Sequence, residues 1–229
     1  MSSRGVTVVL LAVVALVGAA SAAGDPPSKV SSYYLGREDP RACPSPMCGG
    51  VWIRLVNRPT TPCAPAPRSE CYVAELDLSG LPVSEEARGR LGGLVAGGRA
   101  LARGTIVTGR VEGFPDLATL VVSEVWSASS SPRKPEGAFR ILRDNGVRCI
   151  TYPCFSIHAA RLNERASTDV SGVRLSTTGA PAAERRKAMA RIATSGLITA
   201  GGIVRETQAG PAGTGSTVVA TQFYVKASP

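Results

Sequence analysis

Between residues 72 and 78 the chain alternates. Tyr72, Ala74, Leu76 and Leu78 fall on one side, and Glu75 and Asp77 on the other. That is the period of a strand with one dry face and one wet face. "GGVWIRLVN" sets Val51, Ile53 and Leu55 against Trp52, Arg54 and Val56, and predicts another strand. "SSYYLGR" carries aromatic and aliphatic strand formers and opens the sheet. The period then changes. In "PVSEEARGRLGGLVAGG", Ala87, Leu91, Leu94 and Val95 make one apolar stripe at helical spacing. Ser84 is the expected cap, Glu85 and Glu86 suit the positive end of the helix dipole, and Gly97-Gly98 ends it. Strands over 99–109 and 117–126 follow, joined at "EGFPD".

The same order then recurs. At an offset of 106, Tyr33-Tyr34-Leu35 meets Phe139-Arg140-Ile141, Cys43 and Cys48 meet Cys149 and Cys154, and Asn57 meets Asn163. At 97, Leu78-Ser79 meets Leu175-Ser176, and at 98, Thr119, Val121 and Trp126 meet Thr217, Val219 and Tyr224. A second helix starts near Pro181, with Met189, Ile192 and Ala193 as its stripe and Gly196 at its end. Strands over 197–206 and 216–226 close the pattern around "QAGPAGTG". The expected fold is α+β: a tandem duplication of a small unit with an antiparallel sheet and one packed helix. The repeats span 31–129 and 138–228, with a Ser- and Pro-rich linker at 130–137.

Composition adds a compartment. Arg4, the apolar run "VTVVLLAVVALVGAA" and the small residues of "SAAG" read as a signal peptide over 1–23, cleaved near Ala22 or Ala23. No later stretch is apolar and long enough to span a bilayer, so the mature chain is expected to be secreted or otherwise extracytoplasmic. The six cysteines, Cys43, Cys48, Cys63, Cys71, Cys149 and Cys154, all follow the leader. An even count in an oxidising compartment predicts disulfides rather than a metal site. If each repeat folds alone, Cys149 pairs with Cys154 and, by the repeat, Cys43 with Cys48, leaving Cys63 with Cys71. Bonds crossing between the repeats are the alternative.

Charge separates the halves. Residues 25–132 hold 11 basic and 11 acidic side chains, whereas 133–229 hold 14 and 6. "ERRKAMAR" places Arg185, Arg186, Lys187 and Arg191 on the second helix, as candidate anion contacts. Their partner would be an anionic polymer, a cell surface or a protein. Nucleic acid is disfavoured, because this half has few aromatics for stacking.

Catalytic chemistry has little support. His158, the single histidine, has no nucleophile motif beside it. Glu75 and Asp77 share a strand face, as a glycosidase pair could, but such pairs are common on wet faces. No phosphate-cradling, zinc-protease or nucleophile-elbow motif occurs, and no cofactor is implied. The two Pro-containing cysteine rings could present rigid loops, as secreted protease inhibitors do, or simply staple turns.

"YYLGREDPRACPSPMCGGVWIRLVN", "CYVAELDLSGL" and "RCITYPCFSIHAARLN" together resemble an uncharacterised secreted bacterial family, a domain of unknown function. The resemblance covers most of the mature chain. It implies export and bacterial origin, and carries no catalytic residue. The expected function is a secreted, non-enzymatic binding or structural protein contacting an anionic surface or polymer through its basic second repeat. A ring-bearing protease inhibitor or an unrecognised hydrolase is the alternative.

Overall fold

Strand β1 (Ser32–Glu38) is flanked on one side by β2 (Val51–Leu55) and on the other by β5 (Ala100–Thr108), both antiparallel to it. The computed structural model describes residues 31–227; the leader expected over 1–23 lies outside them. After β2 come β3 (Cys71–Val73), β4 (Glu75–Asp77) and helix α1 (Glu85–Ala96). Beyond β5, strand β6 (Ala118–Ala128) pairs antiparallel with β5 and parallel with β4. The second half follows with β7 (Ala138–Asp144), β8 (Ile157–Arg161), β9 (Ser167–Val170), β10 (Gly172–Arg174) and a 3-10 turn at Ser176–Thr178. Helix α2 (Ala182–Arg191), β11 (Leu197–Gly210) and β12 (Gly213–Lys226) complete it.

All twelve strands belong to one sheet, in the order β3-β2-β1-β5-β6-β12-β11-β7-β8-β9, with β4 on β6 and β10 on β12. The fold therefore leans to β: a mostly antiparallel sheet, two helices and three disulfides among the described residues. The order reads alike from both ends. At the middle, Trp126, Ser127 and Ala128 of β6 face Lys226, Val225 and Tyr224 of β12. With position n of the first half matched to n+98 of the second, this pairing is symmetrical about Ser127–Val225.

Strand alternation sends each half's side chains to two different cores. In β5, Ala100 and Ala102 join Val95 of α1 in a first cluster, with Tyr34, Ile53 and Leu120. The second half repeats this around Ala188 and Ile192 of α2, with Leu142, Leu197 and Phe223. The alternate residues meet in a third cluster shared by both halves: Leu101 and Trp126 from one, Phe139, Ile198 and Tyr224 from the other. Two asparagines lock this junction. Asn57 donates to the carbonyls of Phe139 (2.7 Å) and Leu162 (2.9 Å) and accepts from the amide of Phe139 (2.8 Å). Asn163 returns the set to Tyr33 and Val56. Both have φ near +60°, a region asparagine enters more readily than most residues.

Three expectations change. Of the α1 stripe, Val95 is buried and Leu91 half-buried, but Leu94 is exposed. On α2, Ala188 and Ile192 face the core while Met189 and Ala193 are exposed. Segment 130–137 is mostly exposed but anchored at Ser131. Ser129 and Ser131 are buried, and the Gln222 amide donates to the carbonyls of Ser131 (3.3 Å) and Arg133 (3.1 Å). Gln222 is itself buried, so these partners satisfy a polar group that would otherwise be costly to enclose. Strands β11 and β12 also run through most of "QAGPAGTG", which narrows the turn to its centre.

Candidate binding surfaces

The disulfides are Cys43–Cys48, Cys63–Cys71 and Cys149–Cys154, each local and none crossing between halves. The first and third follow equivalent strands, β1 and β7, yet their surroundings differ.

The first ring closes on itself. The amides of Met47 and Cys48 both donate to the carbonyl of Pro44. The Tyr72 hydroxyl donates to the Pro46 carbonyl (2.8 Å) and accepts from the Gly50 amide (3.1 Å). The Arg41 guanidinium lies 4.5 Å from the Tyr72 ring centre and 5.2 Å from that of Trp52, with Arg37 also on Trp52. Each cation is drawn to the negative face of the ring it covers. Asp39 binds Arg41 through both oxygens and accepts from Trp52 Nε1 (3.2 Å). The Arg41 hydrogen bonds, foremost, hold its carboxyl well below the usual carboxylate range. This ring is a staple whose aromatic faces are already occupied.

The ring at Cys149–Cys154 rests instead on the β11–β12 hairpin, with Pro153 buried near Gly215 and the Tyr152 carbonyl accepting from the Ala212 amide (3.0 Å). The position of Trp52 is taken by His158 and that of its cross-strand partner Tyr72 by Asp169. His158 Nδ1 lies 2.9 Å from Asp169 Oδ1, and both side chains are about half exposed. No serine, threonine or cysteine is hydrogen-bonded to that imidazole among the described residues, so the pair lacks the nucleophile a triad needs. Glu75 and Asp77 fare no better. The Ser79 hydroxyl first, then the Ser79 amide and Arg110, hold the Asp77 carboxyl below its ordinary value. A glycosidase acid needs the opposite shift. An open groove of about 610 Å³ between α1 and the β3–β4 edge is floored by Gly89, Gly92 and Gly93 and gathers no catalytic set. No cluster that could hold a metal ion occurs among the described residues. No helix among them is long and apolar enough to cross a membrane.

The four basic positions divide. Successive residues on α2 turn by about 100°, so Arg185 lies beside Ile192 and is half-buried, its guanidinium donating to the Ala180 carbonyl. Arg186, Lys187 and Arg191 span the outward half and are exposed, with no ion pair among the described residues. Five of the six acids after residue 132 are engaged elsewhere: Asp144 with Arg148, Glu164 with Arg161, Asp169 with His158, Glu206 with Arg174, and Glu184 with Ser130. The cations of α2 are left uncompensated.

Sequence reasoning missed the Asn57 and Asn163 clasps, though their spacing was visible, and it missed the apolar tip of the Cys149–Cys154 ring. No curated protein and no solved structure matches the chain. A family model described as a domain of unknown function (DUF6748) matches residues 32–229, nearly the whole described chain, and the protein belongs to that family.

Proposed function

We propose that this is an exported, non-enzymatic binding protein, built by tandem duplication, that attaches to an anionic polymer through the outer half of α2. The carrying observation is the trio Arg186, Lys187 and Arg191, exposed on one helix with the nearby acids committed to other partners. Three unneutralised charges on a rigid helix attract a polyanion over a Debye length and meet no internal competitor. The strand order that reads alike from both ends, with its reciprocal asparagines, supports the duplication. Local disulfides and the apolar leader support export.

Heparin serves as a model polyanion. The variant Arg186→Ala/Lys187→Ala/Arg191→Ala is expected to bind it about tenfold more weakly than the unaltered chain, at roughly 0.5 kcal/mol per exposed charge. The matched variant Arg88→Ala/Arg90→Ala on α1 should change little. Equal binding by the α2 variant and the unaltered chain would refute the assignment.

A further inference from the structure

The apolar side chains that the fold leaves in water gather on the second ring. Ile150 is fully exposed, at 105 %, and Val147, Tyr152 and Phe155 around it are each exposed by 39 % or more. Exposed aliphatics scattered singly are ordinary, but four within nine residues make a patch. The patch is convex. The Cα atoms of Cys149 and Cys154 lie 5.6 Å apart, residues 150–153 bend back between them, and buried Pro153 seats the loop, so Ile150 stands at the outer tip. The stem is held firmly: the Asn145 side chain donates to the Phe155 carbonyl (2.9 Å) and accepts from the Val147 amide (2.9 Å). The first ring has no such tip, and its one large exposed apolar side chain is Met47.

Charge of one sign surrounds the tip. The Asp144 amide donates to the Ile192 carbonyl (3.0 Å), so the C-terminal end of α2, with Arg191, abuts the stem of the ring. Arg143 stands on the same stem, exposed and without an ion pair among the described residues. On the other flank lies the tip of the β11–β12 hairpin, where residues 207–216 bear no charged side chain. The acids nearest the ring, Asp144 and Asp169, are held by Arg148 and His158. Glu136, the one acid of this half not so committed, precedes β7, at the opposite end of that strand from the ring. A soluble polyanion would meet the cations and give the apolar tip nothing. A neutral apolar surface would meet the tip and leave the cations unpaired. An anionic bilayer offers both: phosphates for the cations, and an apolar layer beneath them for aliphatic and aromatic side chains. We infer that the second half docks peripherally on an anionic lipid bilayer, with Ile150 and its neighbours entering the boundary between headgroups and acyl chains, and Arg143 and Arg191 on the headgroup phosphates. The disulfide and Asn145 hold the tip ready, so insertion meets little ordering cost. The inference rests in part on the cationic face of α2 proposed above; the ring is what it adds.

The test uses residues 24–229 with the disulfides formed, and vesicles of phosphatidylcholine alone or mixed with phosphatidylglycerol. The unaltered protein should sediment with the mixed vesicles and stay free of the neutral ones. Ile150→Asp should weaken that binding about tenfold or more, while its affinity for heparin equals that of the parent. Met47→Asp should change neither. Since Ile150 is fully exposed, the melting temperature of Ile150→Asp should also equal that of the parent. Ile150→Trp should bind at least as tightly, and its emission should move to shorter wavelength on the mixed vesicles. Heparin binding without vesicle binding would overturn this inference alone, as would undiminished vesicle binding by Ile150→Asp or unchanged emission from bound Ile150→Trp. Vesicle binding by a protein that ignores heparin would support it and overturn the polymer reading alone.

Discussion

At the scale of the residue, two asparagines join the halves. Each makes three hydrogen bonds to backbone that lies in the other half or across the junction. Each also holds a φ near +60°, so two costs are mixed in any substitution. Glycine separates them, because it keeps the backbone conformation and removes only the side chain. Asn57→Gly is expected to lower the unfolding free energy by about 2–4 kcal/mol, since backbone groups at a partly buried junction lose their partners. Urea denaturation reads this directly; a change under about 0.5 kcal/mol would mean water replaces the bonds freely. Nothing in the local pattern around "VNR" or "LNE" signals this duty. The matched spacing of the two asparagines was legible, but their role needed a contact between residues over 80 positions apart.

At the scale of the element, alternation and helical spacing located most strands and both helices, because each has one face in a core. The errors are informative. Leu94 stands about 100° around α1 from Val95, so both cannot point at the same strand; Leu91 and Val95 hold that side. The parallel pairs β4–β6 and β10–β12 were not legible, since a three-residue strand has no period of its own. Glycines in α1 give a prediction. A Cβ at Gly89 or Gly93 would meet nothing within 4 Å, whereas at Gly36 it would lie 2.3 Å from the Val95 carbonyl oxygen. Gly89→Ala and Gly93→Ala should each stabilise the protein by about 0.5–1 kcal/mol through helix propensity. Gly36→Ala should destabilise it by several kcal/mol, because α1 must lift from β1. Thermal melts of the three variants would check the sign; a loss at Gly89 would show that the bare helix face is packed in solution.

At the scale of the whole molecule, the halves are one sheet. The third core draws Leu101 and Trp126 from the first half and Ile198 and Tyr224 from the second, each at most 1 % exposed. Residues 31–128 made alone would bare that cluster and lose Asn163, so they should fail to unfold cooperatively in urea; a sharp transition from this piece would show that the half folds independently. The like order of elements in the two halves was readable from offsets, but their union in one sheet was not, because it rests on the β6–β12 pair and on Gln222 pinning the connecting segment. Within that sheet the two rings have different surroundings. One ring is stacked shut by Arg41, Trp52 and Tyr72. The other projects Ile150, and the same half carries the uncompensated cations of α2. The measurement that bears most directly on the functional claim is a residue-resolved amide NMR titration of residues 24–229 with heparin at two salt concentrations. Shifts should concentrate on residues 183–193, weaken as salt rises, and leave α1 and the first ring unmoved. Shifts centred elsewhere, or none at low salt, would contradict the claim.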